Sequence, residues 1–285
     1  MGRSASRARR AGRPGRGVSD WPSPALAAGV NAVDDDELLE IAERAARSAS
    51  AVLLSYLRDG GPRAISTKSS PTDVVSEADV AAERAIREVL DRERPRDAIL
   101  GEEGDDKPGE SGLLWVVDPL DGTVNYLFGI PQWCVSVACE GHVGVILDPV
   151  SGECFRVVAG QAPTLDGAAM VASTRVDLST ALVATGFGYE ASVREAQAAQ
   201  VAQLLPQVRD IRRLGSAALD LAWTAAGRYD AYYERGVQRW DVAAGLLMCE
   251  AAGLEVRQLA ARGPLPAGVL VAPAAIAGPL AEIVG

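Results

Sequence analysis

The sequence predicts a layered protein with an N-terminal α+β half and a C-terminal α/β half. Three observations predict it. Two apolar stripes at helical spacing follow residue 33, short apolar strand-like runs fill the stretch to about residue 165, and strands then alternate with helices to the C-terminus. Helical spacing puts apolar side chains on one face, and strand–helix alternation implies sheets covered by helices.

The first helix starts at Asp34 or Asp35, where acidic residues fill the first turn and suit the helix dipole. Leu38, Ile41, Ala45, Ala49, Val52 and Leu53 form its apolar stripe, and Gly60-Gly61-Pro62 stops it. A second helix spans about 76–92, with Ala78, Ala82, Ile86, Val89 and Leu90 toward the core. Strands follow at 98–101 and 113–118, then a hairpin of 133–139 and 143–147 around Gly141-His142, then a strand at 155–158. In the second half the strands are 181–185, 209–213, 231–234 and 269–272, and the helices 191–205, 216–226, 242–252 and 275–284. No internal repeat is present.

A chain of 285 residues has room for two subdomains, 34–165 and 166–285, behind a tail at 1–33. Arg, Gly, Ser and Pro dominate that tail, which predicts a disordered basic extension. Six Arg and no acid fall within residues 1–16, leaving 22 basic against 38 acidic groups for the rest. Such a body repels a nucleic-acid backbone and suits a protein that collects cations. Any nucleic-acid contact would fall to the tail. No apolar run approaches the ~18 residues of a membrane span, and no apolar signal segment follows the basic stretch, so a cytoplasmic protein is expected. Cys134, Cys139, Cys154 and Cys249 show no CxxC spacing, which argues against zinc or a disulfide framework. The only histidine, His142, sits in the hairpin turn, which leaves a Ser-His-Asp triad or a histidine phosphoenzyme without support.

The chemistry concentrates in acids. In Trp115-Val116-Val117-Asp118-Pro119-Leu120-Asp121-Gly122-Thr123-Val124-Asn125, Asp118 closes an apolar strand and Pro119 cannot extend its ladder. The chain turns between Asp118 and Asp121, so both carboxylates can enter one cavity at the strand's carboxyl end. Two acids that close stay ionised most easily with a cation between them. Gly122 and Thr123 then offer backbone N–H groups to a phosphate. An Asx turn with an N-cap is the bland alternative for this pair. Gly101-Glu102-Glu103 adds a third acidic arm. Asp241, at the start of an apolar helix, adds a fourth, and its alternative is a plain N-cap. Asp79 fits either a capping box with Ser76 or an outer place in the acidic cluster, and spacing does not decide between them.

The stretches Lys68-Ser69-Ser70-Pro71-Thr72-Asp73-Val74-Val75-Ser76-Glu77-Ala78-Asp79, Gly101-Glu102-Glu103, Asp118-Pro119-Leu120-Asp121-Gly122-Thr123 and Trp240-Asp241 resemble the inositol monophosphatase family in order and separation, over about residues 35–285. The resemblance implies a layered αβαβα sandwich, a homodimer, lithium inhibition and two to three Mg²⁺ per site. It implies that Glu102, Asp118 and the Leu120 carbonyl bind one Mg²⁺, that Asp118, Asp121 and Asp241 bind a second, and that a looser third sits near Glu102. It assigns Thr123 and Asp79 to positioning an attacking water, the Gly122 and Thr123 backbone to the phosphate, and Gly215-Ser216-Ala217 and Glu234 to sugar or cyclitol hydroxyls. Val124 and Tyr126 depart from the family's usual Thr and Phe, as mild changes at packing positions. The stretch 154–167 departs further from its Gly-rich pattern.

The donor set agrees with this in chemical terms. All candidate ligands are hard oxygens, which favours Mg²⁺ or Mn²⁺ over zinc. Metal-activated water needs no protein nucleophile, so direct in-line attack without a phosphoenzyme is expected. Within the family the substrates include inositol monophosphates, fructose 1,6-bisphosphate, histidinol phosphate and 3′-phosphoadenosine nucleotides. Glu234 suits a polyol hydroxyl better than a second phosphate, which favours inositol or sugar monophosphates. Arg235 and Arg239 are the candidates to receive a second phosphate in a bisphosphatase. A binding role for the Arg-rich tail, on RNA or a polymerase, is the reading from a different class. No GxxxxGK[ST] or strand-linked GxGxxG is present to support a kinase or a dinucleotide enzyme.

Overall fold

Acidic and apolar residues in the right phase start the first helix: Asp34 accepts the amides of Asp36 and Glu37, and α1 (Asp35–Arg58) follows. The computed structural model describes residues 34–61, 65–67 and 74–285; the basic 1–33 segment and residues 68–73 of the first motif lie outside the described residues. After α1 come β1 (Ile65–Thr67), β2 (Val74–Ser76), α2 (Glu77–Glu93), β3 (Ala98–Gly101), β4 (Leu114–Asp121), α3 (Thr123–Leu127), β5 (Cys134–Cys139), β6 (Val143–Leu147), β7 (Cys154–Val158), β8 (Thr164–Leu165) and β9 (Ala168–Ala169). Then come β10 (Leu182–Thr185), α4 (Ala191–Leu204), β11 (Asp210–Arg212), α5 (Ala217–Ala225), β12 (Ala231–Arg235), α6 (Arg239–Ala251), β13 (Glu255–Leu259), β14 (Gly268–Ala272) and α7 (Ala274–Val284).

The larger sheet runs β3-β4-β5-β6-β7-β8-β9, parallel only between β3 and β4. The second runs β11-β10-β12-β14-β13, parallel across its first three strands and antiparallel at β14 and β13. Three apolar cores separate five layers. Leu38, Ile41 and Leu53 of α1 and Ile86 and Leu90 of α2 pack on Trp115, Val117, Val135 and Val145. Leu221 of α5 and Val242 and Met248 of α6 fill the space between Ile146 and Phe155 of one sheet and Tyr232 and Val271 of the other. Leu204 and the α7 residues Ile276 and Leu280 cover the far face at Val183 and Leu270. This is the αβαβα sandwich, and burial of apolar area across its four layer interfaces is its main stabilisation.

The structure departs from the sequence reading in several places. The helix expected at 242–252 begins at Arg239, so Asp241 is not its N-cap but its third residue. β13 was not predicted; it pairs antiparallel with β14 as an edge strand and interrupts the strand–helix alternation. Its Glu255-Val256-Arg257-Gln258 run buries little apolar surface, so periodicity carries no signal there. The 154–167 stretch forms β7 and β8 with Asp166 at φ 49°, locked by reciprocal bonds with the Cys154 backbone. Tyr126 is a packing residue: its ring meets Trp133 edge-on at 5.0 Å and its hydroxyl donates to the Leu53 carbonyl at 2.8 Å. Val124 is not, being 37% exposed. His142 Nδ1 lies 2.9 Å from Asp35 Oδ1, tying the hairpin turn to α1. The four cysteines are buried free thiols, and among the described residues no helix is long and apolar enough to cross a membrane.

Candidate active site

Pro119 lacks an amide, and the β4–β5 register shifts between Asp118 and Asp121. The strand does not close at Asp118 as expected but runs on to Asp121, which pairs with Cys134, and the irregularity within it lets both acids face inward. Asp118 is 1% exposed, and its Oδ1 accepts the Leu120 amide at 3.0 Å. Gly122 follows at φ 98°, and a Cβ there would lie 2.9 Å from the Gln132 carbonyl. Only glycine makes this turn without strain. Thr123 then starts α3, and its Oγ1 lies 3.0 Å from Asp79 Oδ1 and 3.1 Å from the Leu120 carbonyl.

Asp79 takes both of the places the sequence left open. Its Oδ2 accepts the Ser76 amide at 3.0 Å and the Ser76 hydroxyl at 2.5 Å, completing a capping box, while its Oδ1 faces Thr123. Asp241 also closes a capping box, accepting the Gln238 amide at 2.6 Å. Asp121 Oδ2 accepts the Ser216 hydroxyl and the Ala218 amide, each at 2.7 Å, so the start of α5 is bonded to the end of β4.

These acids feel one another. Burial, then the charges of Glu102, Asp121 and Asp241, push the Asp118 carboxyl well above the ordinary carboxylate range. Burial and then Glu102 and Asp121 do the same to Asp241. Burial raises Asp121 to about 6, against the lowering pull of Ser216 and the α5 amides. Glu234, raised by burial to about 7, accepts the Tyr232 hydroxyl at 3.0 Å and senses Asp121. Glu102, Asp118, Asp121 and Asp241 therefore influence one another, and Glu234 is within electrostatic reach of Asp121 and Asp241. Among the described residues no three such groups already stand close enough to clasp an ion. Each acid is instead held by its own local donors, as Asp118, Asp121 and Asp241 show. The donor set still fits a hard divalent cation: it is all oxygen, buried, and crowded with like charge that a cation would relieve.

The predicted residues from the second half arrive beside this group. Ser216 binds Asp121 and caps α5, Ala217 follows it, and Gly215 at φ 91° precedes it. Sequence reasoning missed the side chains that join the halves. Asn125 Nδ2 donates to the Gln132 carbonyl at 2.7 Å and to the Leu214 carbonyl at 2.8 Å, anchoring the Gly215 turn to α3. Asp220, 1% exposed on α5, has its carboxyl held well above the usual range by burial and by Glu234. The expected second-phosphate arginines are engaged elsewhere. Arg235 is 2% exposed and donates to the carbonyls of Ala260, Pro266 and Val284, because strand alternation turns it away from Glu234. Arg239 pairs with Glu140. The cation that Glu234 senses is Arg213, whose guanidinium lies 5.8 Å from the Phe187 ring centre.

Known proteins resemble this chain in sequence and in fold. The inositol monophosphatase family pattern matches residues 34–283. The chain is 41% identical over 266 residues to the inositol-1-monophosphatase of Mycobacterium leprae, covering 85% of this chain and 90% of that one. It is 44% identical over 220 residues to the Nus factor SuhB of Xylella fastidiosa, covering 75% of this chain and 79% of that one. Among solved structures, the inositol monophosphatase from Anabaena (Nostoc) superposes with a TM-score of 0.74 at 35% identity, covering 87% of this chain and 95% of that one. The extragenic suppressor protein suhB of Bartonella henselae superposes with a TM-score of 0.79 at 31% identity, covering 87% and 98%. The chain belongs to the inositol monophosphatase family and is a phosphoric monoester hydrolase.

Proposed function

We propose that the enzyme hydrolyses a small polyol or sugar phosphate monoester, with myo-inositol monophosphate as the best-fitting substrate, in a reaction dependent on two to three Mg²⁺. Glu102, Asp118, the Leu120 carbonyl, Asp121 and Asp241 would hold the ions. When bound, Mg²⁺ supplies an ionised water near neutral pH and neutralises charge on the phosphoryl oxygens and the leaving alkoxide. Asp79 and Thr123 orient that water, the Thr123 hydroxyl being tethered between Asp79 and the Leu120 carbonyl. The Gly122 and Thr123 amides receive the phosphate. Glu234, Gly215, Ser216 and Ala217 face the hydroxyls of the alcohol, with Glu234 oriented by Tyr232. Because water activated by bound ions would need no protein nucleophile, direct in-line attack on the phosphorus is the expected reaction.

The observation that carries this reading is the mutual electrostatic influence of Glu102, Asp118, Asp121 and Asp241, which come from three separate segments of the chain. A panel of phosphate esters assayed with Mg²⁺, with and without lithium, tests it. Inositol monophosphates should be cleaved fastest and lithium should inhibit. Cleavage of a chirally labelled phosphate should invert the phosphorus centre, and retention would overturn direct attack. Family resemblance further supports a homodimer, which light scattering after size exclusion would read. A regulatory role beside catalysis is the second reading, favoured by relatives named Nus factor SuhB. Removing the Arg-rich residues 1–33 should then abolish partner binding while leaving turnover unchanged.

A further inference from the structure

Asp79, Glu83 and Arg87 stand at four-residue intervals along one face of α2. Asp79 meets Thr123. One turn on, Glu83 is 2% exposed, far more buried than a charged residue on a helix ordinarily is. Its Oε2 accepts the Glu103 amide at 2.6 Å and its Oε1 accepts the Gly104 amide at 2.9 Å. Arg87 Nε donates to the same Oε1 at 2.7 Å, and Arg87 Nη2 is buried with no hydrogen-bond partner. Both amides belong to the turn after β3 that presents Glu102.

The glycines flanking that turn are shaped by this pair. A Cβ on Gly101 would lie 2.5 Å from Glu83 Oε1 and 2.8 Å from Arg87 Nη2, and a Cβ on Gly104 would meet the same two atoms at the same distances. Gly101-Glu102-Glu103-Gly104 is therefore the footprint of a carboxylate–guanidinium pair seated under the turn. The two amide bonds to a carboxylate are charge-assisted and hold the turn at two consecutive residues. Helix α2 thus controls two arms at once, Asp79 toward the β4 motif and Glu83 toward Glu102.

We infer that Glu83 is a positioning residue that fixes Glu102 relative to Asp118 and Asp121 and so sets the affinity of the site for its divalent cations. The inference rests on the proposed metal-dependent reading of the site. Supporting residues of this kind change metal affinity by about 10- to 100-fold when removed. A knot that only stabilised the fold would lower the melting temperature and leave the affinity of folded molecules unchanged.

The test uses the full chain, with Mn²⁺ binding read from the free-ion EPR signal in the absence of substrate. Glu83→Gln keeps the shape but trades one acceptor for a donor, so Mn²⁺ should bind about tenfold or more weakly. The Mg²⁺ concentration for half-maximal turnover should rise in parallel, with kcat at saturating Mg²⁺ little changed. Gly104→Ala leaves Glu83 and Arg87 intact but crowds Oε1, and should weaken Mn²⁺ in the same direction; it carries the test should Glu83→Gln fail to fold. Arg235→Met, which removes a buried arginine of β12, should lower the melting temperature without altering Mn²⁺ affinity. Parental affinity in Glu83→Gln or in Gly104→Ala, or an equal loss in Arg235→Met, overturns the inference. If the parent protein itself neither binds Mn²⁺ nor needs a divalent ion, the functional reading fails instead.

Discussion

Replacing Ser216 with alanine separates two jobs that one hydroxyl performs. Ser216 Oγ donates to Asp121 Oδ2 at 2.7 Å across 95 residues of sequence, and it caps α5 by accepting the Leu219 amide at 3.4 Å. Loss of a helix cap costs about 1 kcal/mol. Loss of a hydrogen bond to a charged group costs about 1.5–3 kcal/mol. The Ala218 amide still binds Asp121 Oδ2, so the carboxylate is not orphaned and the lower half of that range applies. The sum, about 3 kcal/mol, corresponds to roughly 6–12 °C in melting temperature for a chain of this size. A second effect follows from charge. Burial raises Asp121 to about 6, and the Ser216 bond is the strongest influence opposing that rise. Without it the carboxyl titrates higher still, and protons compete with Mg²⁺ near neutral pH. The Mg²⁺ requirement for turnover should therefore rise more at pH 6 than at pH 8. Differential scanning fluorimetry in EDTA and Mg²⁺ titrations of turnover at the two pH values measure both effects. A melting loss under about 2 °C together with an unchanged Mg²⁺ curve at pH 6 would refute the coupling of the two halves through this bond.

Asp118→Asn and Asp241→Asn should each abolish turnover, and at pH 8 in EDTA the Asp118→Asn protein should melt higher than the parent, because an amide removes a buried charge repelled by Glu102, Asp121 and Asp241. Near-normal turnover in either variant removes that residue from the site. The metal-free protein should lose stability as pH rises from about 4 to about 7. Asp121 and Glu234 titrate at about 6 and about 7 when folded, above their ordinary 3.8 and 4.5, so the folded state binds protons more tightly and its advantage is lost through that window. For Asp121 alone the difference is about 3 kcal/mol. Mg²⁺ should suppress this slope, and parallel melting curves with and without Mg²⁺ would contradict it. Gly186→Ala places a Cβ where the Glu234 carboxyl lies, so Glu234 must move. Losing a charged hydrogen bond to a substrate hydroxyl should raise KM for inositol phosphate about 10- to 100-fold with a smaller change in kcat, and an unchanged KM would take Glu234 out of substrate binding.

Much of the site was legible because chain-breaking residues mark it. Pro119 and Gly122 announce the end of β4, and the carboxylates beside them stand out against an apolar strand, although Asp118 also makes the Asx-type bond of the bland alternative. The β5–β6 pairing follows from the hairpin at Gly141, while the later alternation announces strands and helices but not their order or the antiparallel β14 and β13. What escaped notice escaped for physical reasons. The start of α6 lies three residues before the predicted one because Gln238 is an uncommon cap, so Asp241 looked like the cap itself. Arg235 was expected beside Glu234 because the two are adjacent in sequence, yet successive strand residues face opposite ways, and that rule sends Arg235 to the C-terminal carbonyls. Asn125 and Ser216 make bonds spanning about ninety residues, for which no local pattern exists. Glu83 falls among charged neighbours on an amphipathic helix, where a carboxylate reads as solvated.

The proposed active-site group draws its residues from more than one layer. The first sheet delivers Asp118 and Asp121 at the end of β4, while the middle helices deliver Ser216 ahead of α5 and Asp241 in the first turn of α6. The relative placement of the acids therefore depends on how closely α5 and α6 approach each other and the sheet. Two glycines set those approaches. A Cβ on Gly245 of α6 would lie 2.5 Å from the Leu221 side chain of α5, and a Cβ on Gly144 of β6 would lie 3.0 Å from the Ala244 backbone. Close-packed interiors transmit such displacements instead of absorbing them. A methyl group at Gly245 would push α5 from α6 and so move Ser216, with Asp121 bonded to it, relative to Asp241. The distance between carboxylates from different layers is thus set by contacts between small residues well away from the acids themselves, and in the proposed site the middle layer counts as much as the strand that bears the two aspartates.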